Sequence, residues 1–225
     1  MVVSDGFEPI CPKQGDPCVN KQEFAQLRLK VKELSQLVLT DPLTGLFNFR
    51  HFNQTLINEM ERTRRTGDTT ILIMLDLDFF KQVNDSWGHE VGNQALKLTA
   101  QLMLLNTRKL DVVCRYGGEE FALILPMTDL STGAKVAERI RKAIDNAPLL
   151  IDGEDVGLTA SLGVAAFSRS QQELPERLVE RADQYLYQAK QEGRNRVCHE
   201  NIESLKTDSS VSADEKAALF GVSIE

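Results

Sequence analysis

No stretch of this chain is long and apolar enough to span a bilayer, and its N-terminus lacks the basic and apolar regions of a secretory signal. Positive charge is also in short supply. Lys and Arg number 26 against 33 Asp and Glu, a net charge of −7, which argues against a general nucleic-acid or membrane-surface binder. Cysteine is sparse. Cys11, Cys18, Cys114 and Cys198 are scattered, and no Cys/His pair near the first two completes a metal site. Cys114 reads as a packed thiol in a strand, and the set reads as reduced and cytosolic. What is present is ordinary for a globular protein: 225 residues, 42% hydrophobic and 26% charged. That suits one domain with a full core plus extensions.

The chain is organised around residues 114–125, Cys-Arg-Tyr-Gly-Gly-Glu-Glu-Phe-Ala-Leu-Ile-Leu. Two apolar runs flank Gly117-Gly118, which reads as a two-residue hairpin turn whose glycines take positive φ. A turn without side chains admits a backbone or a phosphate closely, and Glu119 and Glu120 at its rim suit a divalent cation. For this tetrapeptide alone, a surface hairpin with solvated acids is the more common meaning. Residues 69–77 form an apolar, β-branched run ending in Asp76-Leu77-Asp78. It reads as a buried strand delivering acids at its C-terminal edge, where α/β sheets place ligands. Mg²⁺ takes one or two carboxylates plus substrate phosphates, and Asp76 and Glu119 on adjacent strands would supply them.

Residues 1–20 carry three prolines and no periodicity and read as an arm. Over 21–40, Phe24, Leu27, Val31, Leu34 and Val38 recur at spacings of three, four, three and four. That seam predicts a helical stalk, either a coiled-coil dimer or a helix packed on its own domain. Asp41-Pro42 stops it. Helices are then expected over about 49–65 (capped by Asn48), 91–106, 131–146 (capped by Ser131) and 174–190, the last ended by Gly193. In the second of these, Val91, Leu96, Leu98, Leu102, Met103 and Leu105 form a buried face. Tyr185 and Tyr187 read as core or boundary residues. Asp152-Gly153 predicts a small hairpin, 158–167 a strand and 195–199 a final strand. This order implies an α+β layered fold with a mainly antiparallel central sheet flanked by helices. The tail, 200–225, is polar and acidic. Ser212 and Glu215 fit a capping box there, so either disorder or a short partner-docking helix follows.

Arg115-Tyr116-Gly117-Gly118-Glu119-Glu120-Phe121 resembles the signature of GGDEF-domain diguanylate cyclases in its GGEEF form. Asp41-Pro42-Leu43-Thr44-Gly45-Leu46 resembles the family's opening motif. Asp76 to Lys81 with Asn84-Asp85 and Gly88-His89 resembles the central one, and Gly193-Arg194-Asn195 the closing one. The resemblance covers about residues 40–198. It implies a catalytic domain over 41–199 with a palm-like, ferredoxin-like fold. The implied activity is condensation of two GTP into cyclic di-GMP and pyrophosphate, with Mg²⁺ (or Mn²⁺) as cofactor. It further implies a homodimer through the 21–40 stalk in the bacterial cytoplasm, and an input signal from a partner at stalk or tail or from oligomerisation.

By the same resemblance, Asp76, the Leu77 carbonyl and Glu119 hold metal. Glu120 serves the ribose hydroxyl or a metal. Phe79 and Phe80 offer backbone amides to phosphate, and Lys81, Lys190 and Arg194 bind the triphosphate. Gly117 and Gly118 line the nucleotide, Asn84 hydrogen-bonds guanine, and Arg50 pairs with Asp41. Arg108 and Asp111 have the RxxD spacing of an inhibitory product site, which Arg139 joins.

Asn93 departs from the family's Asp. A carboxylate accepts from both guanine donors, whereas an amide offers one acceptor and one donor and matches adenine's edge. A mixed cyclic AMP–GMP product is therefore one alternative. A non-catalytic receptor for cyclic di-GMP is the other.

Overall fold

The computed structural model describes residues 24–31, 39–151 and 153–200. The chain divides into two compact units, Met1–Leu39 and Thr40–Glu225. In the first, residues 24–31 are helical, and Phe24, Leu27 and Val31 of the expected seam are exposed. Leu34, Val38, Cys11, Cys18, the 1–20 arm and the tail beyond 200 lie outside the described residues.

The second unit runs β1 (Phe47–Asn48), α1 (Phe49–Thr66), β2 (Thr70–Leu77), α2 (Phe80–Leu105), β3 (Val112–Arg115) and β4 (Glu120–Leu125). It continues with α3 (Leu130–Asp145), β5 (Leu149–Ile151), β6 (Glu154–Val156), β7 (Ala160–Phe167), α4 (Pro175–Gln191) and β8 (Val197–His199). Six strands form one sheet in the order β1-β3-β4-β2-β7-β8. The inner four pair antiparallel, and β1 and β8 add parallel to the flanks. β2-α2-β3 and β4-α3-β7 are thus two interleaved units, the split βαβ plan of a ferredoxin-like α+β fold. The β5–β6 pair forms the small separate hairpin.

All eight residues of β2 are buried because the strand is central and both its faces are covered. Successive side chains alternate between those faces. Ile71, Ile73, Leu75 and Leu77 join the core built with Ala95, Leu96 and Met103 of α2 and Val136 and Ile140 of α3. Leu72 and Met74 join Phe52, Leu56 and Met60 of α1 and Leu178, Ala182 and Leu186 of α4. Asp76 continues this second series, which directs its carboxylate toward α4. Against β7, α4 packs with no room for a side chain at Gly163. A Cβ there would stand 2.1 Å from the Ala182 carbonyl oxygen and 2.2 Å from the Leu186 nitrogen.

Several local expectations need adjusting. Asn48 does cap α1, accepting from the His51 N–H at 3.1 Å. α3, however, is capped by Asp129 rather than Ser131. Its carboxylate takes the Thr132 N–H at 2.8 Å and the Thr132 hydroxyl at 3.0 Å. The earlier start carries Leu130 into the core. α2 begins at Phe80 and is broken at Gly88, whose φ of 81° and ψ of 164° only glycine adopts readily. Leu105 ends that helix 81% exposed, outside the buried face, and Tyr187 is likewise on the surface. Cys114 and Cys198 are free and buried, and burial pushes the Cys114 thiol up to about 12.

Candidate active site

The acids expected to act together do converge where β2 ends. Asp76 sits opposite Glu120 on β4 and Ser161 on β7. Glu119 lies one residue before β4, and its carbonyl accepts from the Leu77 N–H at 3.3 Å. From α4, Lys190 Nζ reaches within 2.9 Å of Asp76 Oδ2. Burial raises the Asp76 carboxyl above its usual range, Lys190 opposes the rise, and Asp78 adds to it. Burial likewise raises Glu119, followed by the charges on Asp76 and Glu120. Such crowding of like charge is relieved by a cation.

The glycine turn works differently from its sequence reading. Neither Gly117 nor Gly118 lies in the left-handed region. The turn is longer than two residues, with Tyr116 and Gly117 both donating to the Glu120 carbonyl, at 2.8 and 3.1 Å. A Cβ at Gly117 would lie 2.5 Å from Glu120 Oε2, the tip of a side chain that can turn aside. Arg115 closes the turn by donating to the Gly118 carbonyl from Nε at 3.2 Å and from Nη2 at 2.8 Å. Its remaining nitrogen pairs with Asp41 at 3.1 Å. Arg50, expected in that role, is exposed, and Asp41 is taken by Arg115 and Thr44 instead. Burial alone would raise the Asp41 carboxyl, but the Thr44 hydroxyl and amide, with Arg115, hold it below its usual range.

Asp78 carries more than the motif suggested. It is 5% exposed and accepts three hydrogen bonds: Ser161 Oγ at 2.7 Å, Thr159 Oγ1 at 2.9 Å and the Asn195 N–H at 3.0 Å. Its oxygens are occupied, whereas those of Asp76 meet only a displaceable lysine. Asp78→Ala would strand those donors in a buried place. Its expected cost is about 2–4 kcal/mol in urea unfolding, and a loss below about 1 kcal/mol would contradict the assignment. The i, i+2 spacing of Asp76 and Asp78 was the available signal, since it puts both on one side of an extended chain. Asp183 of α4 was also missed. Burial, then the charge of Glu120, raises its carboxyl, and burial followed by Asp183 and Glu120 raises the Tyr116 phenol.

Phe79 takes φ 56° just before α2, and Arg194, at φ 63°, places its guanidinium carbon 4.6 Å from the Phe79 ring centroid. Phe80 is buried, while Lys81 projects into solvent beside it. Asn84 and Gly92, the residue before Asn93, meet across the Gly88 break. A Cβ at Gly92 would lie 1.9 Å from Asn84 Oδ1, so a side chain there would turn Asn84 aside. Arg108, Asp111 and Arg139 gather elsewhere, at the far end of β3. Asp111 Oδ2 accepts the Arg108 N–H at 2.7 Å, and Arg139 donates to the carbonyl of Asn106 in the same loop. β3 separates them from the glycine turn by its four residues, about 13 Å of strand.

Asp76, Glu119 and the Leu77 carbonyl are a hard-oxygen donor set. Among the described residues no group of three His, Cys, Asp or Glu forms a closed metal cage. Two carboxylates fit Mg²⁺ arriving with phosphates, because that ion keeps waters and phosphate oxygens in its shell. Among the described residues no helix is long and apolar enough to cross a membrane.

Residues 38–196 match the family described as diguanylate cyclase, GGDEF domain. Diguanylate cyclase DgcP of Pseudomonas aeruginosa is 40% identical over 177 residues, covering 79% of this chain and 26% of that protein. Response regulator PleD of Caulobacter vibrioides is 39% identical over 173 residues, or 76% of this chain and 38% of that protein. The chain thus spans well under half the length of these curated relatives. Among solved structures, the coiled coil and GGDEF domain of DgcB from Caulobacter crescentus, in complex with c-di-GMP, superposes with a TM-score of 0.69. It is 32% identical and covers 80% of this chain and 95% of that one.

Proposed function

The chain belongs to the GGDEF-domain diguanylate cyclase family, and on that premise we propose that it condenses two GTP into cyclic di-GMP and two pyrophosphates. The observation that carries this reading is the convergence of Asp76, Glu119 and Lys190 beside a turn kept free of side chains. Asp76, Glu119 and the Leu77 carbonyl would hold Mg²⁺, or Mn²⁺ in its place. When bound, the metal supplies Lewis acidity to the nucleophilic hydroxyl and to the leaving phosphate. Lys190 exchanges its bond to Asp76 for phosphate oxygens, and Arg194 and Lys81 add charge along the same triphosphate. The amides of Phe79 and Phe80 stand at the start of α2, where N–H groups are free to meet an anion. Glu120, beside Gly117, serves the ribose hydroxyl or a metal.

Each 3′-oxygen attacks the α-phosphorus of the other nucleotide as its bond to pyrophosphate breaks. One domain, 41–199, holds one nucleotide, so two must face each other. The 21–40 stalk supplies that proximity by raising effective concentration. The setting is the bacterial cytoplasm, with a regulatory protein at stalk or tail as the source of input.

The deciding assay supplies Mg²⁺ with GTP, with ATP and with an equal mixture, and separates products by chromatography with mass detection. Cyclic di-GMP from GTP is expected. Binding of cyclic di-GMP without any turnover would overturn the cyclase reading in favour of a receptor. The mixture also tests Asn93, which stands beside the Asn84–Gly92 contact where a base edge would be read. Asn93→Asp restores two acceptors for guanine's two donors. It is expected to raise the GTP-over-ATP ratio of kcat/KM by about tenfold, with less cyclic AMP–GMP from the mixture. An unchanged ratio would remove Asn93 from purine selection.

Product inhibition is placed at Arg108, Asp111 and Arg139. Because Asp111 holds the backbone of Arg108 rather than its side chain, Arg108→Ala keeps the turn and removes only the guanidinium. The inhibition constant for cyclic di-GMP is expected to rise at least about tenfold at unchanged kcat. Sensitivity equal to that of the wild type would refute the site.

A further inference from the structure

Arg194 and Asn195 are consecutive non-glycine residues in the left-handed region, with φ of 63° and 44°. Such residues are held there only when their surroundings over-determine the conformation. Arg194 is tied by its own N–H, which donates to the Ala189 carbonyl at 2.9 Å, and two charged groups hold Asn195. Asp78, at the end of β2, accepts the Asn195 N–H at 3.0 Å. Arg141, on α3, donates from Nη1 to Asn195 Oδ1 at 2.6 Å. Neither anchor is itself free to drift. Asp78 is locked by Ser161 and Thr159 of the β7 region. Arg141 is braced along its own helix by Glu138 at 2.9 Å and Asp145 at 3.3 Å.

The consequence falls one residue upstream. With Asn195 pinned, the reversed backbone turns the Arg194 side chain back across the end of β2, onto the face of the Phe79 ring. Phe79 is itself left-handed, at φ 56°, and opens α2. Without the two anchors, a half-buried arginine in this turn would sample more rotamers and would lose that freedom only on binding.

We propose that Asn195, clamped by Asp78 and Arg141, is a positioning residue that presets Arg194 for the terminal phosphates of the nucleotide. The proposal rests on the triphosphate reading of this site. Asn195 touches no substrate; it acts through Arg194.

The test measures equilibrium binding of Mg²⁺·GTP, with thermal midpoints, for the whole chain and four variants: Asn195→Gly, Asn195→Asp, Arg194→Ala, and Arg194→Ala with Asn195→Gly. Glycine keeps the left-handed backbone but removes the acceptor for Arg141. Aspartate keeps the acceptor. Asn195→Gly is expected to weaken GTP binding about tenfold and to raise KM alike, with kcat at saturation within about threefold of the wild type. Asn195→Asp restores binding. In the Arg194→Ala background the glycine substitution has no further effect, because there is no guanidinium left to position. A tenfold loss that persists in that background would make Asn195 merely structural and overturn the proposal, as would unchanged binding in Asn195→Gly. Arg194→Ala binding GTP as tightly as the wild type would instead overturn the placement of the triphosphate, and the proposal with it.

Discussion

Asp76→Asn is expected to reduce cyclic di-GMP formation by a hundred- to a thousandfold, on the order of the loss from removing one charge-stabilising group in an active site. It should do so without harming the fold. The amide has the shape of the carboxylate and remains a hydrogen-bond acceptor for Lys190, which is itself about one-third exposed and solvated. What disappears is a buried negative charge. Burial holds the folded-state pKa of Asp76 above its unfolded value, so the protonated form is relatively favoured in the folded protein. For such a group the stabilising contribution is present at low pH and is lost as pH rises through the folded pKa. At neutral pH the wild type therefore carries the penalty and the Asn variant does not. The variant should melt at the same temperature as the wild type or a few degrees higher. The difference should close as the medium is acidified and Asp76 takes up its proton. Product chromatography at saturating GTP and thermal melts over a pH series check both halves. More than a tenth of wild-type activity in the variant would sink the metal-ligand assignment, and a lower melting temperature at neutral pH would sink the electrostatic one.

Gly163→Ala carries the other large effect, this time on stability. The added carbon would meet backbone atoms of α4 at 2.1 and 2.2 Å, and backbone in a packed helix cannot swing aside as a side-chain tip can. Overpacking of an ordinary core site costs about 1–3 kcal/mol, and this contact is worse, so a loss of at least about 3 kcal/mol in urea is expected. Gly163→Val should not fold. The damage reaches chemistry as well. Lys190 lies one turn beyond Leu186 on the same helix, so lifting α4 from β7 draws its ammonium away from Asp76. Gly118→Ala is the contrast. Its Cβ would enter open space, and stability should change by less than about 0.5 kcal/mol. A loss below about 1 kcal/mol for Gly163→Ala would mean that α4 has slack against the sheet.

Local chemistry was enough to locate much of this protein. The apolar, β-branched run to Leu77 is the central strand, and the helices expected over about 49–65, 131–146 and 174–190 are α1, α3 and α4. Asn48 caps its helix because an Asx side chain meets the N–H three residues on, a contact confined to four residues of chain. The ordered motifs from Asp41 to Asn195 also sufficed to identify the family. Where the local pattern offered two nearby candidates it did not choose correctly. Ser131 was read as the cap of α3, whereas Asp129, two residues earlier, takes that place and Leu130 is buried. Adjacent glycines suggested conformational freedom, but neither Gly117 nor Gly118 takes a left-handed backbone.

The remaining assignments depended on contacts between residues far apart in the chain. Asp41 finds Arg115 across 74 positions, and no spacing rule favours that partner over Arg50. Asp76 and Asp78 look equivalent in sequence, two acids two residues apart, although Asp78 falls in the turn just after β2. Tertiary structure separates them. Three donors, Thr159 just before β7, Ser161 on it and Asn195 in the turn after α4, consume Asp78, while Lys190 from α4 leaves Asp76 able to exchange partners. Sequence determined which groups arrive at the end of β2, because strand period and helix period are properties of neighbouring residues. Packing alone decided which of them are already satisfied and which still have bonding capacity, because every donor that settles the matter comes from another element.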